Sequence, residues 1–247
     1  MGLIEKTLYG TVNKVKESIK LIQETCQDKE IEVGFSGGKD SIVLKRIMKM
    51  SGVPCKFKYN VTTIDIPPVP IFIRKYHPDV IWDRPEKPFL KELIYRGFPL
   101  RQRRWCCEQY KERTGHGKTV VLGIRKAESS QRSKRKIIEF CYKDPTKRFV
   151  NPIFFWSHED IWEFIRSENM PYCHLYDCGY DRLGCLMCPM AKPESRIREY
   201  YEYPRWAEAF RKAFVALYIK KKEEGKTSVD RWKDGSEMFI WWLFEAK

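Results

Sequence analysis

Six consecutive residues, Ser36-Gly37-Gly38-Lys39-Asp40-Ser41, combine two glycines, a cation, a carboxylate and two hydroxyls between an apolar run and a helix-forming one. Ile31, Val33 and Phe35 alternate ahead of them as a buried strand would, and Ile42, Val43, Leu44, Ile47 and Met48 follow at helical spacing. A strand, loop and helix in that order turn backbone N–H groups and the positive end of a helix dipole toward one point, where an anion is favoured. Gly37 and Gly38 permit close backbone approach. Lys39 adds a mobile charge for phosphate oxygens, Ser36 and Ser41 can donate hydrogen bonds, and Asp40 can orient Lys39 or help hold Mg²⁺. The spacing is neither the Walker A pattern nor the G-x-G-x-x-G of dinucleotide folds.

The second chemistry-bearing set is sulfur. Nine cysteines stand in a chain whose N-terminus lacks the apolar core of a secretory signal, which points to metal, cluster or redox work rather than a disulfide scaffold. Cys106 and Cys107 are adjacent, and Cys185 and Cys188 form a C-x-x-C. Two chemistries fit: a [4Fe–4S] cluster, or a structural zinc. Adjacent cysteines are awkward for one small tetrahedral ion, whereas a cubane offers separate irons to each. A zinc site would take one of Cys106 and Cys107 together with Cys178, Cys185 and Cys188. A redox dithiol or a buried pair is the metal-free reading. Cys26, Cys55 and Cys141 read as packing residues, and Cys173 and Cys178, with His174 between them, are ambiguous.

The elements that must position these groups can be placed coarsely. Apolar spacing at Leu8, Val12, Val15, Ile19 and Ile22 predicts a helix over residues 3–26. Residues 55–64 read as a second strand, ending at Thr63 and Asp65, where an α/β sheet presents residues to its crevice. Pro67, Pro68 and Pro70 should forbid regular structure immediately afterwards, before a helix through Ile71, Ile73 and Tyr76. Residues 119–124 form a third strand, with Gly123 at its end. Arg125, Glu128, Ser129 and Arg132 follow on a loop or early helix, suited either to phosphate contact or to a plain surface pair of Glu128 with Arg132. Ser157 is an N-cap with Asp160 in the first turn. Tyr200, Tyr201, Tyr203, Trp206, Phe210, Phe214 and Tyr218 fall at helical spacing, which favours a core over a base-stacking surface. The domains expected are a nucleotide-binding unit over residues 1–150 and a cysteine-bearing, helical extension over 151–247.

Length and charge bound the rest. A chain of 247 residues with 43% hydrophobic content can bury a full core, and no run of about 18 apolar residues offers a membrane span, so a cytoplasmic protein is expected. The 47 Lys and Arg against 33 Asp and Glu leave +14, clustered at Arg101-Gln102-Arg103-Arg104 and at Arg132-Ser133-Lys134-Arg135-Lys136. A nucleotide can use part of that charge, and a nucleic-acid substrate all of it.

The Ser36–Ser41 loop resembles the PP-loop of the ATP pyrophosphatase superfamily, whose members split ATP between the α and β phosphates and adenylate a substrate. Trp105-Cys106-Cys107-Glu108, residues 123–129 with Arg132, Asn151-Pro152-Ile153 with Trp156, Asp160 and Trp162, and residues 182–189 resemble the phosphoadenosine phosphosulfate reductase family, in order over residues 30–190. The resemblance implies a PP-loop α/β fold of parallel strands flanked by helices, an adenine nucleotide (ATP or adenylyl sulfate) with Mg²⁺, and Thr63 and Asp65 near the adenosine. Within the family, adenylyl-sulfate reductases hold a [4Fe–4S] cluster on a Cys-Cys and a distant C-x-x-C, which implies Cys106, Cys107, Cys185 and Cys188. The chain is also similar to the DndC- and SspD-like ATP pyrophosphatases of DNA phosphorothioation, which implies a sulfur-donor protein and a nucleic-acid substrate. One departure stands out: the reductases use a cysteine in a short C-terminal tail, and no cysteine follows Cys188 here. The expected activity is therefore adenylation with pyrophosphate release for sulfur transfer. A reductase borrowing an external thiol, and a non-catalytic nucleic-acid-binding module, are the alternatives.

Overall fold

The computed structural model describes residues 2–7, 10–28 and 30–246. In chain order the elements are β1 (Ile4–Thr7), β2 (Gly10–Asn13), α1 (Lys14–Thr25), β3 (Ile31–Gly34), α2 (Lys39–Ser51), β4 (Lys56–Asn60), α3 (Pro68–Tyr76), β5 (Ile81–Asp83), α4 (Phe89–Arg96) and α5 (Trp105–Tyr110). There follow β6 (Thr119–Val121), α6 (Ser130–Ser133), β7 (Ile138–Phe140), β8 (Arg148–Val150), α7 (His158–Ser167), α8 (Pro193–Glu202), α9 (Pro204–Glu223) and α10 (Gly235–Phe244). They form two compact units woven from alternating segments: the first holds residues 1–60, 67–83 and 114–183, the second residues 61–66, 84–113 and 184–247. Residue 150, the expected boundary, falls inside the first unit.

The first unit is built on a six-stranded sheet of order β5-β4-β3-β6-β8-β7, parallel except for β7 at one edge. Val33, Val121 and Val150 at its centre have no exposed surface, as expected of parallel strands covered on both faces. The chain leaves β3 to one side for β4 and returns on the other for β6, so the carboxyl ends of β3 and β6 flank the switch point where α/β sheets bind ligands. Helix α2 lies against the sheet through Ile42, Val43, Leu44, Ile47 and Met48, all buried, with α1 and α7 beside it. Ser157 caps α7 by accepting from the Asp160 amide, and the Asp160 carboxylate in turn accepts from the Ser157 amide at 2.7 Å.

Three expectations are corrected. The helix predicted from residue 3 begins only at Lys14; β1 and β2 form an antiparallel hairpin before it, and Leu8 lies outside the described residues. Asn13 accepts from the Val15 and Lys16 amides, so a polar cap overrides an apolar spacing that runs on through it. Two strands are shorter than predicted: the second stops at Asn60, because residues 61–66 belong to the other unit, and the third stops at Val121 rather than 124, leaving Gly123 in the turn after it. Helix α3 starts at Pro68, with Pro70 in its first turn, where the missing N–H has no helical acceptor to lose.

The second unit is helical. The 20-residue α9 packs on α4 and α10, burying Phe210, Phe214, Leu217, Trp242 and Leu243. The α9 aromatics Phe210 and Phe214 thus form core, as their spacing indicates, while Tyr201 on α8 is 71% exposed.

Candidate functional site

Gly38 stands in extended conformation as the N-cap of α2. Ser41 Oγ donates to the Gly38 carbonyl at 2.8 Å and accepts from the Ser36 amide at 3.2 Å, closing the loop on itself. Gly37 has φ +73°, and a Cβ there would stand 3.0 Å from both Ile73 and Val69. Backbone conformation and space therefore both demand glycine. Lys39 is only 3% exposed, and burial lowers its ammonium below the ordinary lysine range. Its amide donates to Tyr176 Oη at 2.8 Å and its Nζ to the Asp181 carbonyl at 2.7 Å.

The turn after β6 meets the start of α2. Gly123 has no room for a side chain, since a Cβ would come 3.0 Å from the Asp40 carbonyl. Arg125, 3% exposed, donates from Nε to Asp40 Oδ1 at 2.5 Å and from Nη1 to the Trp156 carbonyl at 3.3 Å. Glu128 Oε2 accepts from the Arg125 amide at 3.0 Å and from Arg132 Nη1. Lys39, Asp40, Arg125 and Glu128 thus lie within electrostatic reach of one another, with Arg132 joined to them through Glu128. The guanidiniums of Arg125 and Arg132 are engaged by the carboxylates of Asp40 and Glu128.

Thr63 and Asp65 belong to the second unit. Thr63 has φ +64°, and its Oγ1 accepts from the Phe89 amide at 2.8 Å. Asp65 Oδ2 accepts from the Thr62 amide at 2.9 Å, and Asp65 pairs in a β-bridge with Cys185. The Ile64 carbonyl accepts from the Leu186 amide at 2.8 Å, so this short segment holds the C-x-x-C loop.

Cys106, Cys107, Cys185 and Cys188 line a single cavity of the second unit, walled by Phe89, Phe210 and Trp242. Among the described residues no three His, Cys, Asp or Glu side chains stand as a ready-made metal site. The hydrogen bond between the adjacent thiols splits them, raising Cys106 and lowering Cys107. Burial pushes Cys185 up to about 11 and raises Cys188. The Lys111 ammonium hydrogen-bonds the Cys185 thiol and is held above the ordinary lysine range, first by the charge of Cys185. Met187, fully buried between the two cysteines, has φ +50°, and its amide donates to Glu199.

Sequence reasoning missed Tyr176, Asp181, Lys111 and Glu199. Lys111 was within reach, lying four residues after Cys107 at the end of α5, on the same helical face. Tyr176 and Asp181 come to the loop from 137 and 142 residues away, a distance no local pattern spans.

A glycine-rich loop at the switch point of a parallel sheet, opening a helix on a buried lysine, defines an α/β protein with the PP-loop fold. Residues 30–191 match the phosphoadenosine phosphosulfate reductase domain, and the chain belongs to that family. It is 30% identical over 250 residues to an uncharacterized protein of Methanocaldococcus jannaschii, covering 93% of this chain and 49% of the relative. It thus spans about half the length of that protein and of a second one from the same organism. It is 26% identical over 194 residues to the adenosine 5'-phosphosulfate reductase of Allochromatium vinosum, covering 70% of this chain and 74% of the relative. Its fold is similar to that of Candida glabrata FMN adenylyltransferase in complex with FAD and inorganic pyrophosphate, with TM-score 0.50, 18% identity, and coverage of 70% of this chain and 62% of that one. Among the described residues no helix is long and apolar enough to cross a membrane.

Proposed function

We propose that the Ser36–Ser41 loop binds ATP and that the chain adenylates an acceptor oxygen, releasing pyrophosphate, so that a sulfur nucleophile can then displace AMP. The observation that carries this is Lys39: one residue sets both an amide and a buried ammonium at the mouth of the loop, beside an Asp40 that Arg125 holds in place. In the reaction the acceptor oxygen attacks the α-phosphorus, the bond to the bridging α–β oxygen breaks, and the electron pair leaves with pyrophosphate. Once the nucleotide is bound, Lys39 and the loop amides stabilise that leaving charge during the step itself, and preorganised donors of this kind usually supply more of the rate enhancement than any other single effect. Asp40, oriented by Arg125, is the residue that would hold Mg²⁺, which would supply Lewis-acid neutralisation of the phosphate charge. Arg132, bound to Glu128, would exchange that partner for phosphate.

The four thiols lining one cavity, with an ammonium bonded to one of them, fit an anionic sulfur-bound group. Cys106, Cys107, Cys185 and Cys188 would hold a [4Fe–4S] cluster, which supplies a redox-active, sulfide-bearing centre for sulfur chemistry; zinc on the same cavity would serve structure. The net charge of +14 supports a polyanionic acceptor such as nucleic acid, bound with a steep dependence on salt, and a sulfur-donor protein completes the reaction.

The likeness to an adenosine 5'-phosphosulfate reductase favours a second reading, reduction of adenylyl sulfate with an external thiol. The two part on product. Anaerobically purified protein is given ATP or adenylyl sulfate, and pyrophosphate and sulfite are assayed. Pyrophosphate from ATP, abolished in Lys39→Ala, is the expected result; sulfite from adenylyl sulfate with no turnover of ATP would replace the proposal with the second reading.

A further inference from the structure

The following rests on the reading of the Ser36–Ser41 loop as the nucleotide site. Both polar groups that Lys39 would offer a phosphate are engaged by one nearby segment. The amide meets Tyr176 Oη at 2.8 Å, the ammonium meets the Asp181 carbonyl at 2.7 Å, and Nζ also lies 5.0 Å from the centre of the Tyr176 ring. The phenol oxygen would stand 3.3 Å from a Cβ on Gly38, so it reaches the floor of the loop. Tyr176 ends a single helical turn, His174–Tyr176, whose backbone bonds stay local: Tyr176 to Cys173, Cys178 to His174, Tyr180 to Leu175. No strand of the sheet runs through this segment, so moving it breaks no strand pairing, although it must expose the buried Leu175 and Tyr180. Its outer support is the edge of Trp162, with ring centres 5.3 Å apart.

We propose that Tyr176 is a built-in stand-in for a phosphate oxygen: in the free protein its hydroxyl takes the Lys39 amide, and a nucleotide phosphate displaces it together with residues 174–181. The exchange has a clear direction. Burial keeps the phenol protonated, so it is a neutral acceptor, and a phosphate oxyanion makes a charge-assisted bond to the same amide about twice as strong. The displaced contacts are subtracted from the binding energy, so Tyr176 weakens the apparent affinity in proportion to how fully the closed state is occupied.

The test measures MgATP binding by equilibrium dialysis to the full chain, to Tyr176→Phe and to Lys39→Ala, with amide hydrogen exchange on the unaltered protein. Tyr176→Phe keeps the ring against Trp162 and drops only the oxygen. Binding about three- to ten-fold tighter in that variant is expected, the size of one hydrogen bond released. Binding should disappear in Lys39→Ala, and ATP should speed exchange over residues 174–181 while slowing it over 37–41. If ATP binds the unaltered chain, needs Lys39, and binds Tyr176→Phe equally or more weakly, the displacement is refuted while the nucleotide site stands. Binding that survives Lys39→Ala, or that is absent from both the unaltered chain and Tyr176→Phe, overturns the site and the displacement together.

Discussion

The phosphate loop and the cysteine cavity solve the same problem, converging reactive groups on a point, by opposite means. The loop is six contiguous residues, braced from below by Gly37 against Ile73 and Val69 and from the side by Gly123 against Asp40. The cavity takes its four thiols from two segments 78 residues apart in sequence, at Cys107 and Cys185, and is lined largely by apolar side chains from further stretches of the second unit. In the first, glycine is demanded at the points of contact; in the second, Gly184 beside the C-x-x-C meets nothing within 4 Å of a Cβ. The contiguous site is thus held by close contacts at its glycines, whereas the distant pair depends on whatever holds its two segments together.

The sharpest break in that comparison is chemical. Cys185→Ala removes one of four thiols, and the expected outcome is complete loss of iron, sulfide and visible absorption from anaerobically purified protein, with MgATP binding unchanged within a factor of about two. Stoichiometric zinc in the unaltered protein would replace the cluster by the structural ion. Loss of ATP binding in the same variant would show that the two regions are not independent.

Next in size is Gly37→Ala. A left-handed φ costs an L-residue about 1–2 kcal/mol, and two methyl contacts at 3.0 Å add overpacking of about 1–3 kcal/mol, so the fold should lose about 3 kcal/mol in urea denaturation. A loss under about 1 kcal/mol would mean that the loop shifts freely, and that its bracing is not what makes it rigid.

The contrast also explains what is legible in the sequence. The loop, its strand and its helix are readable because all three signals lie within about twenty residues, and Ser157 with Asp160 is readable as a cap for the same reason. The hairpin before Lys14 is hidden by apolar residues that continue at helical spacing on either side of a cap. The partners of Lys39 are hidden for another reason: Tyr176 and Asp181 act through one hydroxyl and one carbonyl, and a backbone carbonyl carries no residue-type signal at all. Thr63 and Asp65 read as the end of a strand, and their actual bonds, to Phe89 and Thr62, depend on the chain having already crossed into the second unit.

A third effect tests the underside of the loop helix. Lys45 on α2 reaches His77 Nδ1 at 3.4 Å and Asp79, and His77 is 8% exposed. Burial, aided by the Lys45 charge, lowers His77 to about 4. The folded state therefore prefers the neutral ring. Its contribution is full above the unfolded value of about 6.5 and is lost as pH falls from there toward 4, by about 2–3 kcal/mol over the whole window. Burial works against Asp79, but hydrogen bonds from Lys45 and Lys49 outweigh it and hold it at about 2, so its contribution goes only below about pH 3.8. Denaturation midpoints at pH 7.5, 5.5 and 4.5 should fall stepwise, and His77→Phe should flatten the profile. An unchanged slope in that variant would move the effect to another group.

The smallest effect is the control that gives the comparison its force. Gly184→Ala adds a methyl to open space at a residue whose φ is not left-handed, one position before Cys185, whose backbone pairs with Asp65. Its carbonyl, which accepts from the Ile66 amide at 3.5 Å, is retained. Stability should change by less than about 0.5 kcal/mol and metal content not at all. Placed beside Gly37→Ala, the same one-methyl change then separates a glycine required by its backbone and neighbours from one that is not. If Gly184→Ala instead costs as much as Gly37→Ala, the C-x-x-C loop is braced as tightly as the phosphate loop, and the distinction between a locally built and a distantly assembled site fails.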